Sequence, residues 1–152
     1  MKKIIIILLL MVLPLVGCGK KEERDIKETN NPKEEERIME DNNNIRITIN
    51  NKEYDITLED NETVKELKKL LPLNITMAEL NGNEKYIYLD NNLPTDSYKP
   101  KNINKGDVML YGNNCLVIFY ESFETPYSYT KIGHIDNLPD LGKESVKVKI
   151  AE

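Results

Sequence analysis

The chain has 152 residues, and its 21 Lys and Arg against 26 Asp and Glu give a formal charge of −5. This length suffices for one domain behind an N-terminal leader. From Ile45 onward acidic residues are again in excess, and the sequence holds no basic cluster of the kind that nucleic-acid binding requires. We therefore expect no nucleic-acid partner.

The N-terminus has the layout of a secretory signal. Lys2 and Lys3 precede an apolar run over 4–16, which is too short for a membrane-spanning helix of about 20 residues. The run ends in Leu-Val-Gly-Cys, which resembles the bacterial lipobox. The resemblance implies a signal peptide over 1–17 and a lipid on Cys18 that anchors the chain to the outer face of the cell membrane. An ordinary cleavable signal is the alternative.

A polar stretch follows the leader. Residues 18–44 are rich in Lys, Glu and Arg and close on three consecutive asparagines. They hold too few apolar side chains to offset the entropy lost on ordering. We predict that the lipidated Cys18 begins a disordered tether over 18–44, with a reach of roughly 28 Å. The folded domain is predicted over 45–152.

The folded part opens with a hairpin and a helix. Apolar and polar residues alternate over 45–49 and again over 54–58, with Asn50-Asn51 between the two runs. Period two is typical of strands, and paired asparagines are typical of a tight turn. A helix follows, with Asp60 or Asn61 as its cap, an apolar face over 64–71, and Pro72 at its end.

Strand signals continue to the C-terminus. The run over 115–121 is almost continuously apolar, as expected for a strand covered on both faces. A long surface loop over 90–106 and a short helical turn near Leu138 are also predicted. Seven or eight short strands with one or two short helices predict a mainly β fold, a closed or nearly closed antiparallel barrel.

The sequence resembles the bacterial cyclophilin-like domain proteins. The likeness rests on INNKEYDITLEDNETVKELKKLLPL, MAELNGNEKYIYL and INKGDVMLYGNNCLVIFYESFETPYSYTKIGHID. Its most specific features are Gly106-Asp107, Tyr111-Gly112, and a Phe-x-x-Ser-Phe-x-Thr stretch leading to Tyr127-Ser128-Tyr129. The resemblance implies a cyclophilin-like barrel over 45–150 and a family that mostly lacks an assigned activity. Fold alone does not fix function.

The residue set argues against prolyl isomerisation. In cyclophilins with that activity, an arginine hydrogen-bonds the substrate beside a glutamine, aromatic rings and a histidine. This chain contains no Gln and no Trp, and its only arginine beyond the tether is Arg46 in the first predicted strand. Lysine does not offer the planar fork of a guanidinium. We expect no catalytic residue, and a peptidyl-prolyl isomerase or foldase for exported proteins is the alternative.

Cysteine and histidine usage limits other chemistry. With Cys18 committed to lipid, Cys115 has no disulfide partner within the chain. It lies in an apolar strand, where a free cysteine is usually buried. His134 is the only histidine, so neither a zinc site nor a Cys–His nucleophile is expected. No cofactor and no metal are implied.

The candidate ligand site is aromatic. Six residues of two neighbouring segments form it: Met109, Tyr111, Tyr120, Phe123, Tyr127 and Tyr129. Tyrosine joins a broad apolar face to a polar tip, which suits a binding surface. The alternative is that these side chains only close the barrel. We interpret the protein as a membrane-anchored, non-catalytic binding module for a small ligand, a peptide or an envelope protein.

Replacing Cys18 tests the lipid anchor. We expect metabolic labelling with a palmitate analogue to mark the wild-type protein and to be lost in Cys18→Ala, because the thiol is the group that takes the diacylglyceryl lipid. Cys115→Ala is the control and should keep its label. Undiminished labelling of Cys18→Ala would contradict the anchor.

Overall fold

The computed structural model describes residues 44–152, which form an antiparallel β-barrel with one α-helix. The predicted signal peptide, the lipidation site at Cys18 and the predicted tether up to residue 43 lie outside the described residues, whereas Asn44, predicted as the last residue of the tether, begins the first strand. In chain order the elements are β1 (Asn44–Ile49), β2 (Lys52–Leu58), α1 (Glu62–Lys68), β3 (Leu73–Leu80), β4 (Glu84–Tyr88), β5 (Asn102–Ile103), β6 (Asp107–Tyr111), β7 (Cys115–Phe119), β8 (Phe123–Glu124), β9 (Tyr129–Ile135) and β10 (Val146–Ala151).

Eight of the strands close into a ring. Their order is β1-β10-β3-β4-β7-β6-β9-β2, and β2 pairs with β1 to complete the barrel. The two-residue strands β5 and β8 form a separate small sheet. Closure satisfies the backbone donors and acceptors along both sides of each barrel strand. The predicted mainly β fold with a closed antiparallel barrel is confirmed.

The first hairpin forms as the sequence predicts. Asn50 and Asn51 have φ values of +46° and +72°, and they join β1 to β2 in a two-residue turn. Asparagine tolerates this left-handed region better than most side chains, and such turns match the twist of paired strands. The register pairs Ile47 with Tyr54. Ile45, Ile47 and Ile49 consequently all face the core.

The helix α1 begins directly after Asn61, one of the two residues predicted as its cap. The side chain of Asn61 accepts a hydrogen bond from the backbone N–H of Val64 at 2.9 Å, and Val64 and Leu67 are buried. The amide nitrogen of Asn61 also donates to the carbonyl of Lys131 in β9 at 2.8 Å. The helix ends at Lys68, earlier than the predicted stop at Pro72. No helix in residues 44–152 has the length and apolar character needed to cross a membrane.

Alternation along β7 divides the barrel wall into an inner and an outer face. Leu116 and Ile118 belong to the main core inside the barrel, whereas Cys115, Val117 and Phe119 belong to a second apolar cluster outside it. All five side chains are buried, as predicted for a strand covered on both faces. The same alternation in β4 and β6 decides which side chains reach the outer face.

The long loop over 89–101 is anchored at both ends. Leu93 and Ile103 are buried, and most of the residues between them are exposed, as predicted for a surface loop. Ile103 pairs with Phe123 through β5 and β8. This small sheet holds the loop against the segment that leads to β9, and therefore beside the outer apolar cluster.

The helical turn predicted near Leu138 is wrong. Leu138 is buried in the main core, and the backbone after the turn at Asp136-Asn137 is irregular up to β10. Asn137 has a φ of +54°, which is incompatible with a right-handed helix. Leu138 also precedes Pro139, and the residue before a proline is pushed away from the helical region.

Gly106, which leads into β6, has no room for a side chain. Its φ is +97°, and an added Cβ would lie 2.2 Å from the carbonyl oxygen of Ile135. Gly112 after β6 also has a positive φ, of +62°, but a Cβ there would meet nothing within 4 Å.

The two glycines therefore make a matched pair of alanine variants. We expect Gly112→Ala to lower the free energy of unfolding by about 1–2 kcal/mol, the cost of the left-handed conformation alone. Gly106→Ala should cost about 3–5 kcal/mol, because a backbone clash adds to that strain. Urea denaturation measures both. Equal losses in the two variants would contradict the clash.

Candidate functional site

A groove lined by tyrosines lies on the outer face of the barrel. It has a volume of about 290 Å³. Its walls come from the end of β3, from β4, β6 and β7, and from the segment leading into β9. Ten residues line it: Leu80, Asn81, Glu84, Tyr86, Tyr88, Tyr111, Cys115, Val117, Tyr127 and Tyr129. We call this surface the tyrosine groove.

The strand register explains why these side chains meet. Cys115 in β7 pairs with Tyr88 in β4 on one side and with Tyr111 in β6 on the other, and Tyr111 pairs with Tyr129 in β9. Cross-strand partners point to the same face of a sheet. The short side chain of Cys115 is therefore flanked by the rings of Tyr88 and Tyr111. The rings extend further from the sheet than the thiol does, and this difference forms the depression.

A second row repeats this arrangement one step along the strands. Val117 pairs with Tyr86 in β4 and with Met109 in β6. Glu84 precedes Tyr86 by two residues, so the alternation of a strand places both side chains on the outer face. Glu84 pairs with Leu80 across the β3–β4 hairpin, and the two residues line one end of the groove.

The rings contact one another at steep angles. Tyr86 and Tyr88 have centroids 6.1 Å apart and planes at 84°, and Tyr111 and Tyr127 have centroids 6.0 Å apart and planes at 79°. Edge-to-face pairs of this kind are stabilised by the ring quadrupoles. Tyr129 is tilted against Tyr111 at 5.5 Å.

Three of the groove tyrosines are largely open to solvent. The exposed fractions are 63% for Tyr88, 57% for Tyr127 and 44% for Tyr111. Tyr129 is buried, and burial raises the pKa of its phenol. The groove thus has a fixed inner side and a rim of exposed rings.

The groove is acidic rather than basic. Burial, followed by the charge of Glu79, raises the pKa of the half-buried Glu84 carboxyl. Burial, with Glu84 as the next cause, raises the pKa of the Cys115 thiol to about 11. No Lys, Arg or His is among the described residues that line the groove. Cys115 is consequently a protonated, inert thiol at neutral pH.

Of the six residues predicted as a ligand site, Tyr111, Tyr127 and Tyr129 line the groove. Met109 and Phe123 lie in or against the apolar cluster beneath it, and Met109 is buried. These two side chains support the groove from below and are not part of its lining.

Tyr120 lies apart from the other five predicted residues. It is buried in the main core, its hydroxyl donates to Glu79 Oε1 at 3.3 Å, and the amine of the buried Lys85 lies 4.8 Å from its ring centroid. Burial, followed by the charge of Glu79, raises the pKa of Tyr120 to about 12. Tyr120 therefore stabilises the barrel wall on the opposite face from the groove.

Sequence reasoning missed the β4 side of the groove. Tyr86, Tyr88 and Glu84 alternate in one short strand, and this period-two pattern was the available signal that they share a face. Their position opposite β7 was not readable, because the pairing joins segments far apart in the chain.

Residues considered for catalysis are not assembled in the groove. His134 Nδ1 lies 3.0 Å from Asp107 Oδ1 at the start of β6, whereas Cys115 pairs with Tyr111 at the other end of that strand. Arg46 in β1 lies 3.8 Å from Glu53 and does not line the groove. Within residues 44–152, no three His, Cys, Asp or Glu side chains are grouped so as to hold a metal ion.

The closed eight-stranded barrel with a single short helix defines the class of the protein as a cyclophilin-like β-barrel. The sequence model of the cyclophilin-like family matches residues 47–151, and the chain belongs to this family.

Comparison with solved structures gives a match of low similarity. A hypothetical protein from Archaeoglobus fulgidus, solved in solution, is similar at 19% identity with a TM-score of 0.48, over 71% of this chain and 92% of that one. A comparison with curated proteins found no match.

The Cys115 thiol reports on the charge of the groove. We expect alkylation of Cys115 at pH 8 to be slow in a Cys18→Ala background. With a pKa of about 11, its thiolate fraction is roughly a hundredfold below that of a thiol at the ordinary value of 9.0. Glu84→Gln removes a charge that raises this pKa, so the thiolate fraction and the alkylation rate should increase by about two- to fivefold.

The exposed Glu121 does not line the groove and provides the control. Glu121→Gln should leave the Cys115 rate unchanged. The rate follows from mass spectrometry of iodoacetamide-treated samples over time. A Glu84→Gln rate equal to wild type would show that the carboxylate does not act on the thiol.

Proposed function

We propose that this protein is a lipid-anchored extracytoplasmic lipoprotein whose cyclophilin-like domain binds a ligand in the tyrosine groove without catalysing a reaction. The observation that carries the proposal is the convergence of five tyrosines, from three strands and one loop, on one groove of about 290 Å³. Five of the eight tyrosines in the chain are thereby gathered at one place.

Exposure of the rings supports a binding role. Tyr88, Tyr111 and Tyr127 keep 63%, 44% and 57% of their surface accessible. Adjacent exposed rings forgo the stabilisation that burial gives apolar surface, and contiguous patches of this type mark interaction sites. A ligand that covers the rim recovers that stabilisation.

The groove is also preformed. Its floor residues Cys115 and Val117 are buried within β7, which pairs on both sides, so the floor cannot shift without disrupting the barrel. The ring of Tyr129 contacts the rings of Tyr111 and Phe119, with centroid distances of 5.5 and 5.6 Å, and these contacts hold it in place. Side chains that are already ordered lose little entropy when a ligand binds.

The size of the groove limits what it holds. A volume of about 290 Å³ is at the lower end of small-molecule sites, which are usually about 300–1,000 Å³. A small ligand, or one side chain of a peptide or envelope protein, fits this volume.

The anchor supports an extracytoplasmic location. The leader, the lipobox-like Leu-Val-Gly-Cys sequence and the polar stretch over 18–44 together have the arrangement of a lipoprotein export signal followed by a spacer. A lipid on Cys18 would keep the domain at the membrane, and the spacer would separate the domain from the bilayer.

No observation favours the isomerase alternative over binding. The guanidinium of Arg46 lies 3.8 Å from the Glu53 carboxylate on the β1–β2 side of the barrel. The described lining of the groove offers no guanidinium to stabilise a twisted amide.

Removing exposed rings from the groove tests the proposed function. We expect ligand-observed NMR with a fixed panel of fragments and short peptides to give hits against the full-length wild-type protein. The double variant Tyr111→Ala/Tyr127→Ala should weaken these hits at least about fivefold, because stacking on each of the two rings contributes about 0.5–1.5 kcal/mol.

Tyr98→Ala is the matched control. Tyr98 is 45% exposed, close to the 44% of Tyr111, and it does not line the groove. Its hits should equal those of wild type. Hits that survive in the double variant, or a panel with no hits at all, would refute the tyrosine groove as a ligand site.

A further inference from the structure

The tyrosine groove contains one formally charged side chain among its described lining residues, that of Glu84. The adjacent Lys85 points to the opposite face of β4. Its amine donates to the carbonyl of Gly142 at 2.5 Å and to that of Glu144 at 2.8 Å. The nearest basic residue in sequence is thus hydrogen-bonded on the face away from the groove, and it does not line the groove.

The carboxylate of Glu84 lacks a partner of its own. Among residues 44–152, no donor or basic side chain forms a hydrogen bond or an ion pair with it. Its side chain is half-buried, and burial and the charge of Glu79 both disfavour its ionised form. A partly buried charge is stabilised when a counter-charge compensates for the hydration that it has lost. A cation bound in the groove would supply this compensation.

The rings form two walls at a suitable separation. Tyr86 and Tyr88 stand on β4, and Tyr111 stands on β6 with Tyr127 against it at 6.0 Å. Only β7 lies between β4 and β6, so the strands that carry the two walls are about 10 Å apart, or two strand spacings. A group midway between these strands is about 5 Å from each of them in the plane of the sheet.

That distance suits a cation. The face of an aromatic ring carries partial negative charge, and it attracts an ammonium within about 6 Å of the ring centroid. In each perpendicular pair, one ring presents its edge to its neighbour, which leaves other ring faces free to contact a ligand. Tyrosine rings that stand at right angles can contact an ammonium on several sides, and the carboxylate of Glu84 lies at one end of the same groove.

From these observations, and resting on the proposed binding function, we propose that the tyrosine groove binds an organic ammonium group between the tyrosine rings of β4 and β6, with Glu84 at one end of the groove as its counter-charge. An anionic ligand would meet both the carboxylate and the negative ring faces. A neutral apolar ligand would cover Glu84 without replacing its lost hydration.

A pair of probes of equal shape tests the charge requirement. Choline and 3,3-dimethylbutan-1-ol differ by a quaternary nitrogen in place of a carbon, so their difference in affinity measures the interaction of the positive charge with Glu84 and the ring quadrupoles. The full-length protein in a non-ionic maltoside detergent is titrated at constant ionic strength. Because the chain has eight tyrosines and no Trp, and five of the eight line the groove, its intrinsic fluorescence reports on this site. We expect choline to bind at least tenfold more tightly than the alcohol.

Nα-acetyl-lysine methylamide is a second cationic probe, and it presents the primary ammonium of a peptide side chain. Choline and this amide share the proposed chemistry. The tighter of the two identifies the source of the ammonium as a small molecule or a peptide. Failure of both cations to bind would overturn the proposal.

Glu84→Gln separates charge from shape. The variant should lose about tenfold in affinity for choline and keep its affinity for the alcohol, because the amide has the size of the carboxyl without its charge. Tyr88→Leu removes one ring face at a 63% exposed position, where folding is little affected. It should lower choline affinity by about three- to tenfold and change alcohol binding less.

The outcomes distinguish this proposal from the proposed function. Equal affinities for choline and the alcohol would overturn the cation requirement and leave a ligand-binding groove in place. Unchanged choline affinity in both Glu84→Gln and Tyr88→Leu would also overturn it. Loss of all binding in Tyr111→Ala/Tyr127→Ala, with binding kept in Tyr98→Ala, would place the probes in the groove.

Discussion

The barrel depends on β7 being covered on both of its faces. Leu116 and Ile118 contribute to the core inside, while Cys115, Val117 and Phe119 contribute to the cluster outside. One five-residue strand therefore stabilises two apolar layers, and its backbone pairs with β4 on one side and β6 on the other. The groove floor is the outer layer of that same strand, so the site has the rigidity of the fold.

Signals within a few residues of each other were readable from the sequence. Asn50 and Asn51 predicted the first turn, and Asn61 predicted the helix cap. Both features depend only on interactions between residues close together in the sequence. Pairings between distant segments were not readable, since alternation fixes the face of a residue but not the strand beside it. The groove was therefore found from its β6 and β9 side, with Tyr86 and Tyr88 on β4 missed.

Tyr120 shows that the alternation of side chains along a strand decides whether an aromatic ring joins the core or the groove. It follows Phe119 at the end of β7, so alternation turns it toward the side of Ile118 and into the main core. There its hydroxyl donates to Glu79 and its ring faces the amine of Lys85. Crowding of aromatic residues in sequence had grouped Tyr120 with Tyr127 and Tyr129, although the backbone sends it to the opposite face.

The same phase gives the groove its charge. Glu84 and Lys85 are neighbours, and on an exposed loop their charges would cancel. In β4 they point to opposite faces, and the lysine is buried with two carbonyl acceptors while the carboxylate stays among tyrosines. Strand geometry thus places the two opposite charges on different faces. The lysine ties the 142–144 segment to the barrel, and the glutamate makes the aromatic groove acidic. Because the lysine points to the other face, the described lining of the groove offers no counter-charge to this carboxylate.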